Sequence, residues 1–464
     1  MDFDNVKDEL LSITDTGLKY VKGLDSSAEF EIYVHFENRM NAEIDQGVVT
    51  AQDGAVAGSA VRAARGKRVG FAVVSGISIE RVKQAAKEAL AVINSVNVED
   101  NRFQGFADPQ GAGREGAFAD EILTLGTDDL IRSCHEIVEE ARAVDSRVRV
   151  VTAGAKASWG SYAIGNTRGV LRATRKNRNS CQVNVYAISG EERKGALDFD
   201  ASRERICHTE GVGRNAAIRA ISLLGAKKMG VTAKMQTIWT PLPAALYVLS
   251  SLAQSAVGRP VVDGVSPLCD RIGDTIASKK FSIIDDGQDP LGLETDAIDA
   301  EGIPQRRNPI VERGILKNFL FDNYFGKAYG LESTGNCTRG GSVFGGGTPY
   351  ESRPTASTKW LEVVPGKKNE DDIISSIDGK AILIRDFPLG IFHSSVETGD
   401  FSCVATSAFL VENGELKGPV EPVSVAGNYY EGLKNLREVG NDPLLIPYGI
   451  NMPTLVFDDF SIVG

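Results

Sequence analysis

The chain has 464 residues and a formal net charge of -11, with 42% hydrophobic and 24% charged residues, a length that predicts two or three domains of ordinary globular composition. An acidic chain without a basic tail is unsuited to non-specific nucleic-acid binding, which needs clustered Lys and Arg. Because no apolar run approaches the ~20 residues of a membrane helix and the first residues are acidic where a signal peptide is basic, we expect a cytoplasmic protein.

Hydrophobic patterns in the first half predict strands followed by helices. Phe30 to Phe36 alternate apolar with polar residues, as in a half-buried strand. Residues 58–75 predict two strands around the turn Arg65-Gly66-Lys67. Apolar residues recur at helical spacing from Ser78, a plausible N-cap, and again over 128–143 and 212–224, so three helices are expected.

Four extended segments between the second and third helices predict an antiparallel meander. These segments are 147–156, 161–164, 169–174 and 181–189. The basic run RKNRNS, Arg175–Ser180, falls between the last two, and we interpret it as a solvated hairpin tip.

The second half is richer in glycine and in short extended runs. An apolar run over 244–249 predicts a helix that continues into SLAQSAVGRP, residues 251–260. Several strand-like runs follow, and the Asn413-Gly414 pair predicts a hairpin. Together the patterns predict an α+β fold: an N-terminal α/β domain, 1–228, with an antiparallel sheet and helices, and a C-terminal, mainly antiparallel β, open barrel-like domain, 229–464.

Few histidines are available for metal or acid–base chemistry. His35 lies between apolar Val34 and Phe36 in the alternating strand, so it is expected to face solvent or an interface. His135 and Glu139 belong to HEIVE, which is not the HExxH zinc motif, and they fall on the wet side of a helix. His208 precedes a helix, where capping or pairing explains it. His393, in GIFHSSVETGD, lies beside a dense polar cluster.

Other chemical motifs are weak. The six cysteines, which include no CxxC pair, are expected to be buried free thiols. The glycine-rich run Gly340–Pro349 lacks the GK[ST] ending of a phosphate loop and is predicted to be a flexible loop. No GxSxG elbow supports a serine hydrolase.

Long segments of the chain resemble one family. DAEGIPQRRNPIVERGILKNFLFDNYFGKAYGLESTGNCTRG (299–340) and SVETGDFSCVATSAFLVENGELKGPVEPVSVAGN (395–428) resemble the TldD/PmbA family, peptidase family U62, whose older name is modulator of DNA gyrase. GSAVRAARGKRVGFA and LDFDASR (197–203) are similar to its N-terminal region. The order TGDFS, ENGE, GPVE, AGN is specific to that resemblance.

The resemblance implies a scaffold that has lost a metal site. TldD-type chains carry HEAVGH, a form of HExxxH, where this chain has QSAVGR, so Gln254, Ser255 and Arg259 occupy the positions of the first His, the Glu and the second His. Glutamine is a poor zinc ligand, serine is no base at neutral pH, and a guanidinium repels cations. The family's C-terminal cysteine ligand is also missing, since Asn441 and Asp442 stand in that segment.

The resemblance therefore implies a TldE/PmbA-type subunit without catalytic residues, metal or cofactor of its own. Zinc is expected in a TldD-type partner, which this chain would join as a heterodimer, or it would form a homodimer, with much of the contact in the N-terminal half. The complex would process or degrade flexible peptides. Arg339, Thr398, Gly399, Asp400 and Ser402 are the predicted substrate-binding residues of the cavity lining; the alternative is that they only fix strand turns.

Two other functions remain open from the sequence. The chain can be a stand-alone hydrolase that uses unrecognised ligands such as His393 with Asp400. It can also be a non-enzymatic regulatory binding protein of a topoisomerase or toxin system.

Overall fold

The computed structural model describes residues 3–95, 97–340 and 347–464. Most of the predicted glycine-rich loop, residues 341–346, therefore lies outside the described residues. The helices are α1 Phe3–Leu24, α2 Ile79–Ser95, α3 Thr127–Val144, α4 Val212–Ser222, α5 Pro241–Leu249, α6 Leu252–Ser255, α7 Gly258–Val262, α8 Asn323–Tyr329, α9 Glu370–Ser375 and α10 Tyr429–Lys434. The strands of the first half are β1 Glu29–Asp45, β2 Val48–Arg65, β3 Arg68–Ser75, β4 Val148–Asn166, β5 Leu171–Ser189 and β6 Glu192–Ser202.

The second half contains shorter strands. They are β7 Thr232–Trp239, β8 Ile283–Asp286, β9 Arg307–Glu312, β10 Ile315–Leu316, β11 Cys337–Arg339, β12 Pro354–Ala356, β13 Leu361–Val363, β14 Lys380–Ile384, β15 Asp400–Ala405, β16 Ala408–Glu412, β17 Glu415–Val420, β18 Val423–Asn428, β19 Leu436–Val439, β20 Leu444–Ile446, β21 Ile450–Met452 and β22 Leu455–Val463.

The first half is a six-stranded antiparallel sheet with the order β3-β2-β1-β4-β5-β6. Its four long strands pair over most of their length, and β1 pairs with β2 without a register shift from Glu29↔Ala64 to Asp45↔Val48. Helices α1 and α2 pack on one end of one face, and α3 and α4 pack on the other end of that face. The predicted helices are confirmed as α2, α3 and α4, and the predicted turn at Gly66 joins β2 to β3.

The opposite face of this sheet, which we call the inner face, carries both polar and apolar side chains and is partly covered by the second half of the chain, which packs against Tyr33 and Tyr162. Side chains of β1 alternate between the faces, so Phe30, Ile32 and Val34 pack against the helices while Glu31 and His35 lie on the inner face. His35 was predicted to face solvent or an interface. This prediction was wrong, because the His35 side chain is fully buried within the chain. Burial lowers the pKa of its imidazole.

The basic run Arg175–Ser180 is not a hairpin tip, as the sequence predicted, but the middle of β5, which is 19 residues long. Its polar side chains have partners on both faces of the sheet. Asn177 and Asn179 donate amide hydrogen bonds to the carbonyls of Arg203 and Ser202, and the charge of Glu37 helps to raise the pKa of Lys176 against the opposing effect of burial. Tertiary contacts therefore hold a locally unfavourable sequence in a strand.

The second half is built around an eight-stranded, curled sheet with the order β15-β18-β22-β7-β14-β16-β17, with β19 paired to β22. Its neighbours are antiparallel except β7 and β14, which are parallel. The predicted hairpin is confirmed, since Asn413 and Gly414 join β16 to β17 with positive φ angles of 51° and 80°. A second, six-stranded sheet has the order β10-β9-β8-β13-β21-β20.

The predicted α+β fold is confirmed. The boundary between 1–228 and 229–464 remains a prediction, although β7 begins at Thr232 and runs between β14 and β22. Four of the six cysteines are buried and two are half-buried, and all six are free thiols. Among the described residues, no helix has the length and apolar character needed to cross a membrane.

Candidate functional site

The segment that contains Gln254, Ser255 and Arg259 is not one continuous helix, as the sequence predicted. Helix α5 is buried from Leu242 to its end at Leu249. Two short helices follow, α6 with four residues and α7 with five, and Val257 between them is extended and forms a bridge with Leu320. The hydroxyl of Ser251 donates to the carbonyl of Tyr247 at 2.7 Å, a local bond that competes with helical continuation.

The side chains at the three motif positions differ in their exposure and in their partners. The Gln254 side chain is exposed and its amide donates back to the carbonyl of Leu249 at 3.0 Å. Arg259 is exposed too, with 76% of its side chain accessible, and lies 3.5 Å from Asp263. Ser255 is fully buried. The extended Val257 lies between Gln254 and Arg259, and in the described part of the chain no hydrogen bond joins either of these two side chains to the other motif position, Ser255.

Ser255 is part of a buried hydrogen-bond network. Its hydroxyl lies 2.5 Å from the hydroxyl of Tyr430 on α10 and 3.0 Å from the carbonyl of Ser251. The Tyr430 hydroxyl also donates to the carbonyl of Val396 at 2.8 Å. Burial raises the pKa of Tyr430, and its bond to Ser255 acts in the opposite direction. This network joins the motif segment, 254–259, to Val396, which lies just before the TGDFS segment, 398–402. We call residues 398–402 the TGDFS turn.

The TGDFS turn is held in place by Tyr430 and Asn428. Gly399 has a φ of +82°, and a Cβ added there would come within 2.5 Å of the Tyr430 ring. The Asn428 amide donates to the carbonyl of Thr398 at 2.8 Å and to the Asp400 carboxylate at 3.0 Å. Tyr430 therefore lies between Gly399 and Ser255 and contacts both of them.

The exposed residues of the TGDFS turn are accessible to a ligand. Thr398, Asp400 and Ser402 are exposed, whereas Gly399 is buried beneath Tyr430. His393 is exposed too. No hydrogen bond or ion pair within the described part of the chain joins its ring to Asp400, which a catalytic pair would require.

Among the described residues, no hydrogen bond or ion pair joins Arg339 to the TGDFS turn. Its guanidinium is buried and donates to the Glu31 carboxylate at 2.6 Å, and it lies over the Tyr33 ring at 4.6 Å. Glu31 also receives two bonds from Arg62, which reaches Glu301 at 2.7 Å. The sequence could not reveal this arrangement, because the partners of Arg339 lie about 300 residues away. We call Glu31, Arg62, Glu301 and Arg339 the interdomain charge cluster.

Buried carboxylates adjoin the interdomain charge cluster. Asp299 accepts hydrogen bonds from the backbone N–H groups of Glu301, Ile303 and Cys337. Burial, helped by the charge of Glu301, raises the pKa of Asp299 to about 7. Burial likewise raises the pKa of Asp322. These bonds and ion pairs tie the inner face to the 299–339 segment.

The side chains at the motif positions do not fit a catalytic zinc ion. An amide, a hydroxyl and a guanidinium stand at the motif positions, and Asn441 and Asp442 make local bonds, to the carbonyl of Lys367 and from Thr454. Within the described residues, no three His, Cys, Asp or Glu side chains come together as a metal-binding group. His135 and Glu139 are exposed on α3, as predicted.

Two shallow clefts lie where β6 meets the second half. The larger has a volume of about 470 Å³ and is lined by Asp198, Phe199, Asn215, Ile218, Arg219 and Leu444. The smaller, of about 170 Å³, is lined by Gln182, Val183, Asn184, Leu197, Phe199, Leu242, Phe387, Pro447 and Tyr448. None of the predicted site residues lines either cleft.

Known proteins match nearly the whole chain. A model of the PmbA/TldA metallopeptidase central domain matches residues 120–224, and one of the PmbA/TldA metallopeptidase C-terminal domain matches residues 232–464. A metalloprotease TldD homolog of Buchnera aphidicola is 24% identical, with 88% of this chain and 86% of the relative aligned. A metalloprotease PmbA homolog of Haemophilus influenzae is 26% identical, with 86% and 84% aligned.

A solved structure is similar as well. The crystal structure of TldE from Thermococcus kodakarensis superimposes with a TM-score of 0.88 at 25% identity, over 97% of this chain and 100% of that one. Fold and matches together define a protein of a peptidase family. The chain belongs to the TldD/PmbA family, since the C-terminal model alone covers half of it.

Proposed function

We propose that this chain is the metal-free, TldE-type subunit of a metallopeptidase complex, paired with a TldD-type subunit that holds the zinc. The complex processes or degrades flexible peptides. This chain shapes the access of an extended peptide to the partner's metal and performs no bond cleavage itself. The likeness to the TldE structure supports the subunit type.

One observation carries the proposal: the three motif positions hold an amide, a buried hydroxyl and a guanidinium in place of zinc ligands and a base. Ser255 is fully buried and bonded to Tyr430, so it reaches neither solvent nor a substrate. Gln254 and Arg259 are exposed and separated by the extended Val257. A metal-bound water needs ligands and a base that converge on one point, and these residues supply neither.

The surface next to this segment suits a peptide backbone. Thr398, Asp400 and Ser402 present hydroxyl and carboxylate groups to solvent on the TGDFS turn. The uncovered part of the inner face adds exposed charged and amide side chains, among them Arg39 and Gln182. Groups of this kind can hold a chain in place through hydrogen bonds while tolerating varied side chains.

The test is co-expression of this chain with a TldD-type chain, followed by affinity purification and a peptidase assay. We expect a stable mixed complex that cleaves an unstructured peptide, while each chain alone is inactive. Asp400→Asn with Ser402→Ala is expected to raise KM for the peptide without breaking the complex, and the exposed Glu431→Gln variant serves as the control.

Two results would overturn the proposal. A TldD-type chain that is fully active without this chain would remove the subunit role. Peptide cleavage by this chain alone would identify it as a hydrolase in its own right. If neither a complex nor cleavage is found, a regulatory binding role replaces the proposal.

A further inference from the structure

Two cysteines of the first half belong to the same hydrophobic core. Cys181 lies on β5, and its side chain is buried between the sheet and helices α3 and α4. Cys207 lies in the loop between β6 and α4, is half-buried, and packs against that core. One thiol is therefore shielded from solvent, while the other is partly accessible.

A hydrogen-bonded asparagine folds this loop back onto β5. The Asn179 amide donates to the carbonyl of Arg205 at 2.7 Å, and its oxygen accepts the backbone N–H of Cys207 at 2.5 Å. Residues 179 and 181 are two apart on one strand, so their side chains point to the same face of the sheet. The contact at Asn179 therefore places Cys207 next to the side chain of Cys181.

The thiol of Cys181 contacts the loop directly. It donates to the carbonyl of His208, the residue after Cys207, at 3.4 Å. It is also hydrogen-bonded to the side chain of Cys207, and this bond, together with burial, raises the pKa of Cys181. Cysteines that lie far apart need backbone movement before they can be joined. These two side chains are already in contact, so the folded backbone brings them within reach of a disulfide.

We propose that Cys181 and Cys207 are a redox modification site, at which a peroxide converts the two thiols into a reversible disulfide. The half-buried Cys207 reacts first, because accessible thiols are oxidised before buried ones. A reducing compartment keeps such a pair as thiols, and disulfides that form there are usually transient and redox-sensing. The inference does not rest on the proposed pairing with a metal-bearing subunit, because it concerns this chain alone.

The oxidation takes place in two steps. The Cys207 thiolate attacks one oxygen of hydrogen peroxide and expels hydroxide, which becomes water with the proton lost from Cys207, and the product is a sulfenic acid. The Cys181 sulfur then attacks the sulfur of Cys207, and the sulfenic hydroxyl leaves as water with the Cys181 proton. The two thiols lose two electrons and two protons in total, and the peroxide is reduced to two molecules of water.

The disulfide fixes the loop that carries Arg203. The buried guanidinium of Arg203 donates to the carbonyls of Ala117 and Gly292, so this loop contacts the second half of the chain. A disulfide restricts the unfolded chain and thereby stabilises the folded one. We expect the oxidised chain to unfold at a midpoint at least about 2 °C higher than that of the reduced chain.

Non-reducing mass spectrometry of the purified full-length chain tests the proposal. After treatment with hydrogen peroxide and alkylation of the remaining thiols under denaturing conditions, we expect a linked peptide pair that contains Cys181 and Cys207, and dithiothreitol should separate it. Cys207→Ser should lose the linked pair, and Cys181→Ser should leave Cys207 as a sulfenic acid that dimedone labels. Cys403→Ser, which replaces a cysteine buried in the other half of the chain, is the control and should leave the link unchanged.

Circular dichroism checks that each variant is folded. The proposal fails if Cys207 is linked instead to Cys134, a further buried thiol of this core. It also fails if Cys181 and Cys207 both remain open to alkylation although the peroxide has oxidised the half-buried Cys269.

Discussion

At the position where TldD-type chains are expected to carry the base of the metal motif, this chain has a serine that contributes to packing. Ser255 is buried against Tyr430, which in turn bonds the carbonyl of Val396. The side chain therefore links three segments that are distant in sequence. This role explains why the position is not free to serve an exposed site.

The Ser255–Tyr430 pair should be measurable as a coupling. Ser255→Ala and Tyr430→Phe each remove the bond between the two buried hydroxyls, while the remaining hydroxyl keeps a backbone carbonyl as partner, so each is expected to lower the free energy of unfolding by about 0.5–1.5 kcal/mol. The double variant should cost less than the sum of the two, since both remove one bond. Urea denaturation provides the measurement. The exposed Ser402→Ala is the control, with a change below about 0.5 kcal/mol; strict additivity would show that the pair is not coupled.

Asp299 should make stability depend on pH. Its pKa is raised to about 7 in the folded protein, against an ordinary value of about 3.9. Between these values the folded state binds more protons than the unfolded state, so this group lowers the free energy of unfolding as pH rises from about 4 to about 7. Above pH 7 its unfavourable contribution is constant.

The variant Asp299→Asn isolates this effect. We expect the loss of stability between pH 5 and pH 7.5 to be smaller in Asp299→Asn than in the natural chain by about 1–3 kcal/mol. Denaturation curves at the two pH values give the comparison. The charge of Asp299 also helps to raise the pKa of Asp322, so its removal lowers the pH dependence that Asp322 contributes, in the same direction. Identical pH dependence would show that Asp299 is ionised throughout.

At the scale of elements, the interdomain charge cluster joins β1 and β2 to the segment that leads to β11. Glu31 is fully buried and pairs with Arg62 and Arg339. Glu31→Gln leaves two buried guanidinium groups with one carboxylate fewer, so we expect a loss of about 3–5 kcal/mol. Thermal or urea unfolding measures it.

The same strand offers a matched control for this prediction. Glu29 is half exposed and lies 3.4 Å from Arg168, so Glu29→Gln should change stability by less than about 1 kcal/mol. Equal effects of the two variants would show that the cluster does not hold the two parts of the chain together.

Element prediction succeeded where local signals were strong. Helical periodicity located α2, α3 and α4, and the turn residues at Gly66 and Asn413-Gly414 located two hairpins. It failed for β5, whose basic centre is held by partners on other strands, and it gave no prediction for α1. The break after Leu249 depends on tertiary contacts of Val257 and Ser255, which no local pattern shows.

The candidate site was predictable only through family resemblance. The substitutions at Gln254, Ser255 and Arg259 are visible in the sequence once the motif is aligned, but the burial of Ser255 and the proximity of Gly399 are not. Arg339 shows the opposite case, because a residue that was predicted to line the cavity is buried in an ion pair. Whether Thr398, Asp400 and Ser402 contact a peptide remains a prediction.

At the scale of the whole molecule, the chain has the fold of a metallopeptidase family, and Gln254, Ser255 and Arg259 at the motif positions are side chains that bind zinc poorly. The three substituted positions, with the buried Ser255 among them, all belong to one short segment. A metal-free subunit that needs a metal-bearing partner accounts for both features.

Metal analysis of the purified chain, alone and in complex with a TldD-type chain, tests this account most directly. Elemental analysis of tag-free protein should give less than about 0.1 zinc per chain for the isolated protein and about one zinc per mixed complex, as a single metal site requires. Replacing the ligands of the TldD-type chain should abolish the zinc of the complex. Stoichiometric zinc in the isolated chain would contradict the account.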